Sequence, residues 1–573
     1  MKKEKKTQEK RPLWKQPLLW WAAGWCILCA LAVFIVYYWR VFYYFDRFSP
    51  MLLTALTALV FTVLYAAAGL TLHFVKSLAG RAALLLAAAG LLTVFVSPPM
   101  QVPDEKDHYL RSYAISMGRF DFDAERGYPA DVDLFFGSFY GAYTNANNGA
   151  PVKQYYHLAD EKDPNGTKIA DGAVRSVADQ FTAWRSGLAV LEAGGDTGAE
   201  QVTEPLVVML LPYLPQAMGM AAARLCGANA LGCLYAGRVC NLMVYVLLAY
   251  FALKGLSRWR GIFLAVLFLP LSLYMAASLS FDAQLLGLYA LAASLLLREE
   301  FGKKERTLYL AAVVAMNIAK PWINLLWLPG LLFVGKKEQR KKLRPWISIA
   351  IGAAGCIGVT ALFTWYGRTF RFNYGEVGRM LGDTVNGMEQ LKFTVSNPLR
   401  SAAVLWGTLF ENDFFLPGLG NFGSLDTMIP AAAWLSVLLL GCGTVSAMHH
   451  RPLHGWTNAG ISLFCGLYTL GVMMAMYITY TPVGMVRVIG LQARYFLPAV
   501  LLGLVLLAQL AGWLQRRSGI TLQAVSPEVK AAQTKPVHPV LLIGFLAAVL
   551  GALLLFQTYF IGPVTWVLSE LPV

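Results

Sequence analysis

Apolar stretches long enough to cross the roughly 30 Å hydrocarbon core of a bilayer as helices recur along the whole chain. They run at 17–39, 51–75, 81–97, 232–253, 260–277 and 283–297, then at 345–367, 428–448, 457–478, 497–514 and 538–560. Two shorter apolar pieces, 307–319 and 321–334, bring the expected total to about 13 spans. Within lipid every backbone N–H and C=O must find its partner inside the segment, so such runs fold as helices. The residues are 57% hydrophobic and only 14% charged, with a mean hydropathy of +0.52. Those values lie far from soluble-domain averages. The expected fold class is an all-α polytopic membrane protein.

Lysine and arginine resist translocation and collect in cytoplasmic loops, which sets the orientation. Lys2, Lys3, Lys5, Lys6, Lys10, Arg11 and Lys15 precede the first span, and six more bases fill the run from Lys336 to Arg344. Both regions are expected on the cytoplasmic side. The clusters Lys254–Arg260, Arg298–Arg306 and Arg516–Arg517 follow them if the spans alternate as given and 205–225 lies at the interface without crossing. Pro212 and Pro215 interrupt that stretch. The first apolar run lacks a small-residue cleavage site, so it reads as an uncleaved helix.

The chain then divides into N-terminal transmembrane helices (1–97), a first large outer loop (98–204), core helices (205–367), a second outer loop (368–427) and C-terminal helices (428–573). The first loop carries 17 acids against 9 bases in a chain whose net charge is +15. Exclusion of bases from outer loops is the expected cause of that imbalance. With aromatics such as Phe120, Phe122, Phe135, Phe136, Tyr140, Tyr143, Tyr155 and Tyr156, the loop is expected to pack as an α or α/β domain. All eight cysteines lie in or beside apolar spans, away from the outer loops, which argues against disulfides and a thiolate zinc site.

Ionisable residues crowd the point where the third span stops. Asp104, Glu105, Asp107 and His108, with Lys106 and Arg111, follow Pro98-Pro-Met-Gln-Val-Pro, at a membrane surface where charge is costly unless paired or used. Three further positions stand out. Arg487 and Arg494 sit on the outer side against the charge bias, and a guanidinium grips phosphate through two hydrogen bonds, although a headgroup anchor would use it too. Lys320, at the turn between two short apolar pieces, places an ammonium at or below the outer surface. Snorkelling to the interface is the alternative for it. Asp282, between two spans, faces the same side and could pair with a base or join the site.

Four motifs occur in an order that resembles a bacterial membrane family, the domain-of-unknown-function family 2142, which looks like a relative of the GT-C glycosyltransferases. They are Pro98 to Tyr109, Ser-Leu-Ser-Phe-Asp ending at Asp282, Gly423 to Pro430, and Gly490 to Pro498. The resemblance covers about 81–515, and this chain has two extra spans ahead of the first motif. It implies a GT-C-like fold and sugar transfer from a polyprenyl-phosphate donor to a cell-envelope glycan or lipid acceptor, most often with inversion. The site would face outward from a bacterial plasma membrane, with the N-terminus cytoplasmic.

In that reading Asp104 is the first choice for general base and Glu105 the second, while Asp107 or His108 positions the acceptor or the base. Adjacent residues on a turn point in different directions, so one of the acidic pair is expected to brace the loop. Arg494 leads as donor-phosphate ligand, followed by Lys320 and Arg487, with Asp282, Arg111 and Tyr495 in support. A divalent cation, Mg or Mn, on Asp104 and Glu105 stays open as a cofactor, without a closely spaced ligand set to demand it. Membrane lipids are expected partners and nucleic acid is not. The rival classes are a transporter or flippase of a lipid-linked glycan and an outer-face glycan ligase or polymerase.

Overall fold

The computed structural model describes residues 22–26, 29–30, 33, 50–121, 126–139, 177–202, 210–334, 344–369, 385–410, 415–423, 427–518, 538–556 and 558. The basic tail up to Lys15, most of 17–39, the basic run up to 343 and the aromatics Phe122, Tyr140, Tyr143, Tyr155 and Tyr156 lie outside these residues.

The described chain is mostly helical. α1 (Pro50–Phe74) and α2 (Leu78–Val96) precede three helices of the first loop, α3 (Glu105–Ser116), α4 (Ala130–Ser138) and α5 (Val177–Glu192). α6 (Leu214–Leu225), α7 (Ala230–Lys254), α8 (Arg260–Leu267), α9 (Pro270–Ala276), α10 (Asp282–Leu296) and α11 (Lys303–Ala319) follow, then a 3-10 segment at Ile323–Leu332. After α12 (Pro345–Thr369), α13 (Gly387–Ser396) and α14 (Pro398–Leu409) comes a two-residue antiparallel hairpin, β1 (Asn421–Phe422) and β2 (Thr427–Met428). α15 (Pro430–Ala447), α16 (Gly455–Thr479), α17 (Leu497–Ser518) and α18 (Pro539–Phe556) complete the bundle.

Among the described residues, eight helices are long and apolar enough to cross a membrane, and Asp282–Leu296 and Ile323–Leu332 are shorter apolar helices. Three of the other expected stretches have these forms among the described residues. The stretch 260–277 is split into α8 and α9 at Pro270, which has no N–H to continue the ladder. Carbonyls near the break are taken up by side chains: Tyr245 donates to Leu267 O at 2.8 Å and Ser272 to Val266 O at 2.9 Å. Every residue from Gly261 to Ser280 is buried, so this broken helix runs through the middle of the bundle, as an all-round apolar helix must. The stretch 307–319 belongs to α11, whose first turn carries Lys303, Lys304, Glu305 and Arg306. α6, with 12 residues, rises only about 18 Å, too little to span, and packs on α7 and α3.

α11 and the 3-10 segment turn at Lys320. Two asparagines hold the turn: Asn317 accepts from Trp322 N at 2.9 Å, and Asn324 donates to Met316 O and Lys320 O, each at 2.9 Å. A 3-10 helix rises about 2.0 Å per residue, so this ten-residue piece reaches about 20 Å, farther than an α-helix of equal length. The main core gathers α2, α7 to α10, α15, α17 and α18. A second core under the first loop joins Tyr109, Phe135, Phe136, Trp184 and Met220, which fastens α3, α4 and α5 onto α6 and the start of α7. Phe120 stays exposed.

Candidate active site at one end of the bundle

The segment after α2 is shaped by a buried ion pair. Arg238 of α7 donates to Glu105 through Nε at 2.8 Å and Nη2 at 2.6 Å, and both side chains are fully buried. The same guanidinium donates to Ser97 O at 2.6 Å, Pro98 O at 2.9 Å and Val94 O at 3.2 Å, so it also caps the carbonyl end of α2. Glu105 accepts in addition from Met100 N at 3.1 Å and Leu279 N at 3.2 Å. Its carboxylate is therefore consumed by structure, and it links the loop of Asp104 to the loop of Asp282.

Asp104 is turned the other way. It occupies the N-cap position of α3 in left-handed conformation (φ 58°), and its side chain makes no capping bond. A non-glycine residue in that region is uncommon and stores strain. The side chain remains open to solvent, yet crowding by protein atoms raises the carboxyl above its ordinary range. Asp107 and Asp282 push the same way, against Arg494 and Arg111. The Glu105 bond to Leu279 N holds the Asp104 loop against the Asp282 loop, and the Asp282–Arg494 pair brings in the third.

The Ser278–Asp282 turn is fixed by side chains from two helices. Asn241 donates to Ser278 O and Ser280 O, both at 2.8 Å, and Gln216 donates to Leu279 O at 3.0 Å. Asp282 begins α10, where the helix dipole favours negative charge. Its Oδ1 lies 2.7 Å from Lys320 Nζ and its Oδ2 2.7 Å from Arg494 Nε. The Lys320 ammonium also sits 4.4 Å from the Tyr495 ring centre, with the Arg494 guanidinium carbon 5.1 Å from the same ring. Only Nε of Arg494 is engaged. Nη1 and Nη2 have no hydrogen-bond partner among the described residues, although the side chain is only 7% exposed.

Those three residues close the polar end of a cavity of about 160 Å³. Leu285, Leu286, Ile323, Val472 and Met476 give it apolar walls, and Tyr289, Tyr468 and Tyr495 add aromatic ones. A space of this kind accepts an amphiphile: an anion against Arg494 and Lys320, and a hydrocarbon portion along α10 and α16.

His108, which does not line the cavity and packs against Phe281 next to Asp282, is buried and contacts the Tyr213 hydroxyl through Nδ1 at 3.0 Å. Arg111 donates to the same hydroxyl at 3.0 Å and pairs with Asp107 at 3.7 Å. Burial, and then Arg111, push the His108 imidazole down to about 3, so it is neutral near pH 7. Arg487 is exposed and does not line the cavity. Asp104 and Glu105 do not converge on one point, and among the described residues no three His, Cys, Asp or Glu side chains form a metal-ligand group. The pair does not fit a divalent cation, and no chemistry is derived through one.

Arg238, Asn241, Gln216 and Tyr213 are not among the residues anticipated above. Arg238 carried a usable signal, an ionisable residue inside a 25-residue apolar helix. Asn241, three residues on, lies on the same helical face and marks it as the polar seam of α7.

Residues 87–502, which contain every group described in this site, match the family described as predicted membrane protein (DUF2142), and the chain belongs to that family. No curated protein and no solved structure matches the chain.

Proposed function

We propose that this DUF2142 member is a membrane glycosyltransferase resembling the GT-C type, which moves a sugar from a polyprenyl-phosphate donor to a hydroxyl of an envelope glycan or lipid. The observation that carries the reading is Arg494, buried, bonded to Asp282 by Nε alone, with its outer edge free at the polar end of an apolar-walled cavity. A lipid phosphate fits that edge and Lys320, with its chain against Leu285 and Val472. Charge arithmetic agrees: Lys320, Arg494 and Asp282 sum to one positive charge, which a singly charged phosphodiester neutralises.

In this mechanism Asp104 takes the proton from the acceptor hydroxyl as its oxygen attacks the anomeric carbon. The bond from that carbon to the phosphate oxygen breaks, and its electron pair stays on the phosphate. Lys320 and Arg494 stabilise the charge that develops there. Crowding that raises the Asp104 carboxyl suits a base, because it strengthens the proton affinity of the ionised form. Glu105 serves as the brace and Asp282 as the positioning group for both cations. Arg487 takes the part of a headgroup anchor. The site faces away from the cytoplasm of a bacterial plasma membrane, and about 13 crossings follow when the broken, short and N-terminal segments are counted with the eight long helices.

The second reading, transport of a lipid-linked glycan, draws on the break at Pro270 and the long 3-10 segment beside the cavity. Purified protein in liposomes separates the two. Release of polyprenyl phosphate with glycosylated acceptor, without movement of the donor between leaflets, supports the transferase. Movement without chemical turnover overturns it.

A further inference from the structure

The Tyr213 hydroxyl has two neighbours, and the pair determines where its proton lies. Arg111 can only donate, so its 3.0 Å bond occupies a lone pair of the phenol oxygen. The remaining contact is His108 Nδ1 at 3.0 Å. If Nδ1 carried the proton, the phenol O–H would be left buried without an acceptor among the described residues, since Tyr213 is only 3% exposed and makes no other hydrogen bond to them. The phenol O–H and Nδ1 are both satisfied only when Tyr213 donates to a bare Nδ1. The imidazole proton then belongs to Nε2.

We infer that His108 is locked as the neutral Nε2–H tautomer and offers that N–H to a phosphate oxygen of the ligand held at Lys320 and Arg494. Nε2 has no hydrogen-bond partner among the described residues, although His108 is only 5% exposed. The ring packs edge-on to Phe281 at 5.3 Å, and Lys320 Nζ lies 5.8 Å from the same Phe281 ring. The charged and titratable groups that face it are Arg111 and Tyr213, Asp282 on α10, Lys320 at its turn and Arg494 before α17. Three of these are cations, and with burial they oppose a second proton on the imidazole, in agreement with its depressed basicity. His108 is thus a fixed neutral donor, in contrast to a base or a pH switch. Tyr213 and Arg111 act through it as positioning residues. The tautomer follows from the hydrogen bonds alone, whereas donation to phosphate rests on the ligand site proposed above.

The test is nitrogen NMR of full-length protein in nanodiscs with ¹⁵N-labelled histidine, assigned by the signal lost in His108→Gln. The expected spectrum has Nε2 protonated and Nδ1 bare, unchanged from pH 8 to pH 5. A proton on Nδ1, or titration within that window, overturns the lock. Tyr213→Phe removes the donor to Nδ1 and should yield mixed tautomers; an unaltered spectrum in that variant overturns the positioning role. Dodecyl phosphate, with its binding followed separately by phosphorus NMR, should shift the Nε2–H signal. Binding without that shift overturns donation and leaves the cavity standing, whereas no binding at all removes the cavity reading and donation together.

Discussion

Arg238 and Glu105 meet in a two-point pair at 2.8 and 2.6 Å with no exposure to solvent, while Asp104, one residue earlier in the chain, stands open in a left-handed turn. The two neighbouring acids therefore have opposite environments, which gives them separable phenotypes. Glu105→Gln leaves Arg238 buried without its counter-charge and should cost roughly 3–5 kcal/mol of stability. Asp104→Asn removes a crowded carboxylate that makes no capping bond to α3, and should keep or raise the melting temperature. Its turnover should fall by about 10² to 10⁴ if Asp104 is the base. Thermal unfolding in detergent, with turnover measured on the same samples, checks both. Equal destabilisation by the two variants would make the cluster purely structural.

Arg494 gives a charge-conserving test. Arg494→Lys retains a cation for Asp282 but loses the Nη edge that lines the cavity. Donor affinity and rate together should decline by roughly 2–4 kcal/mol, with acceptor affinity little changed and Arg494→Ala worse. Exposed Arg487 supplies the control. Arg487→Ala should leave turnover near the starting value, and a loss as large as that of Arg494→Lys would return Arg487 to the site.

Acid should expose the His108 lock. Its folded-state value, about 3, lies below the ordinary 6.5, so between these limits the unfolded chain binds a proton that the folded protein does not. Stability must then fall as pH drops from about 6.5 toward 3, by up to ~1.4 kcal/mol per pH unit from this group. Asp104 has the opposite sign. Its raised carboxyl contributes stability below the unfolded value near 4, which is lost as pH rises through the folded value. Denaturant unfolding from pH 7 to pH 5 should show a shallower slope in His108→Gln than in the unsubstituted protein. Identical slopes would contradict a neutral buried imidazole.

Sidedness can be read at described positions. Glu192 ends α5, which shares the second core with α3, whereas Lys304 lies in the first turn of α11, at the opposite end of that helix from the Lys320 turn. In a background without the exposed Cys26 and Cys226, a cysteine at 192 should react with an impermeant thiol reagent applied to intact cells, and one at 304 should not. The reverse pattern would invert the topology.

What could be read from the sequence was local in character. Span positions follow from runs of apolar residues, and the loops bearing Asp104, Asp282, Lys320 and Arg494 are visible because charge beside such runs is conspicuous. Their convergence was not visible, since Asp282 and Arg494 are 212 positions apart and meet only through packing. The division of labour between Asp104 and Glu105 depends on Arg238, 133 positions from Glu105. Spacing within the motif cannot express that. Local winding is hidden for a related reason: hydropathy does not report that Pro270 splits one apolar run, or that Ile323–Leu332 is wound as a 3-10 helix.

The most direct measurement is a density map of the protein in nanodiscs with a polyprenyl phosphate bound. The account predicts phosphate within hydrogen-bonding distance of the Arg494 Nη edge and of Lys320, with the isoprenoid chain running along Leu285, Leu286 and Val472 and Asp104 facing the vacant acceptor side. An empty cavity at saturating lipid phosphate, with the lipid held elsewhere on the bundle, would contradict it.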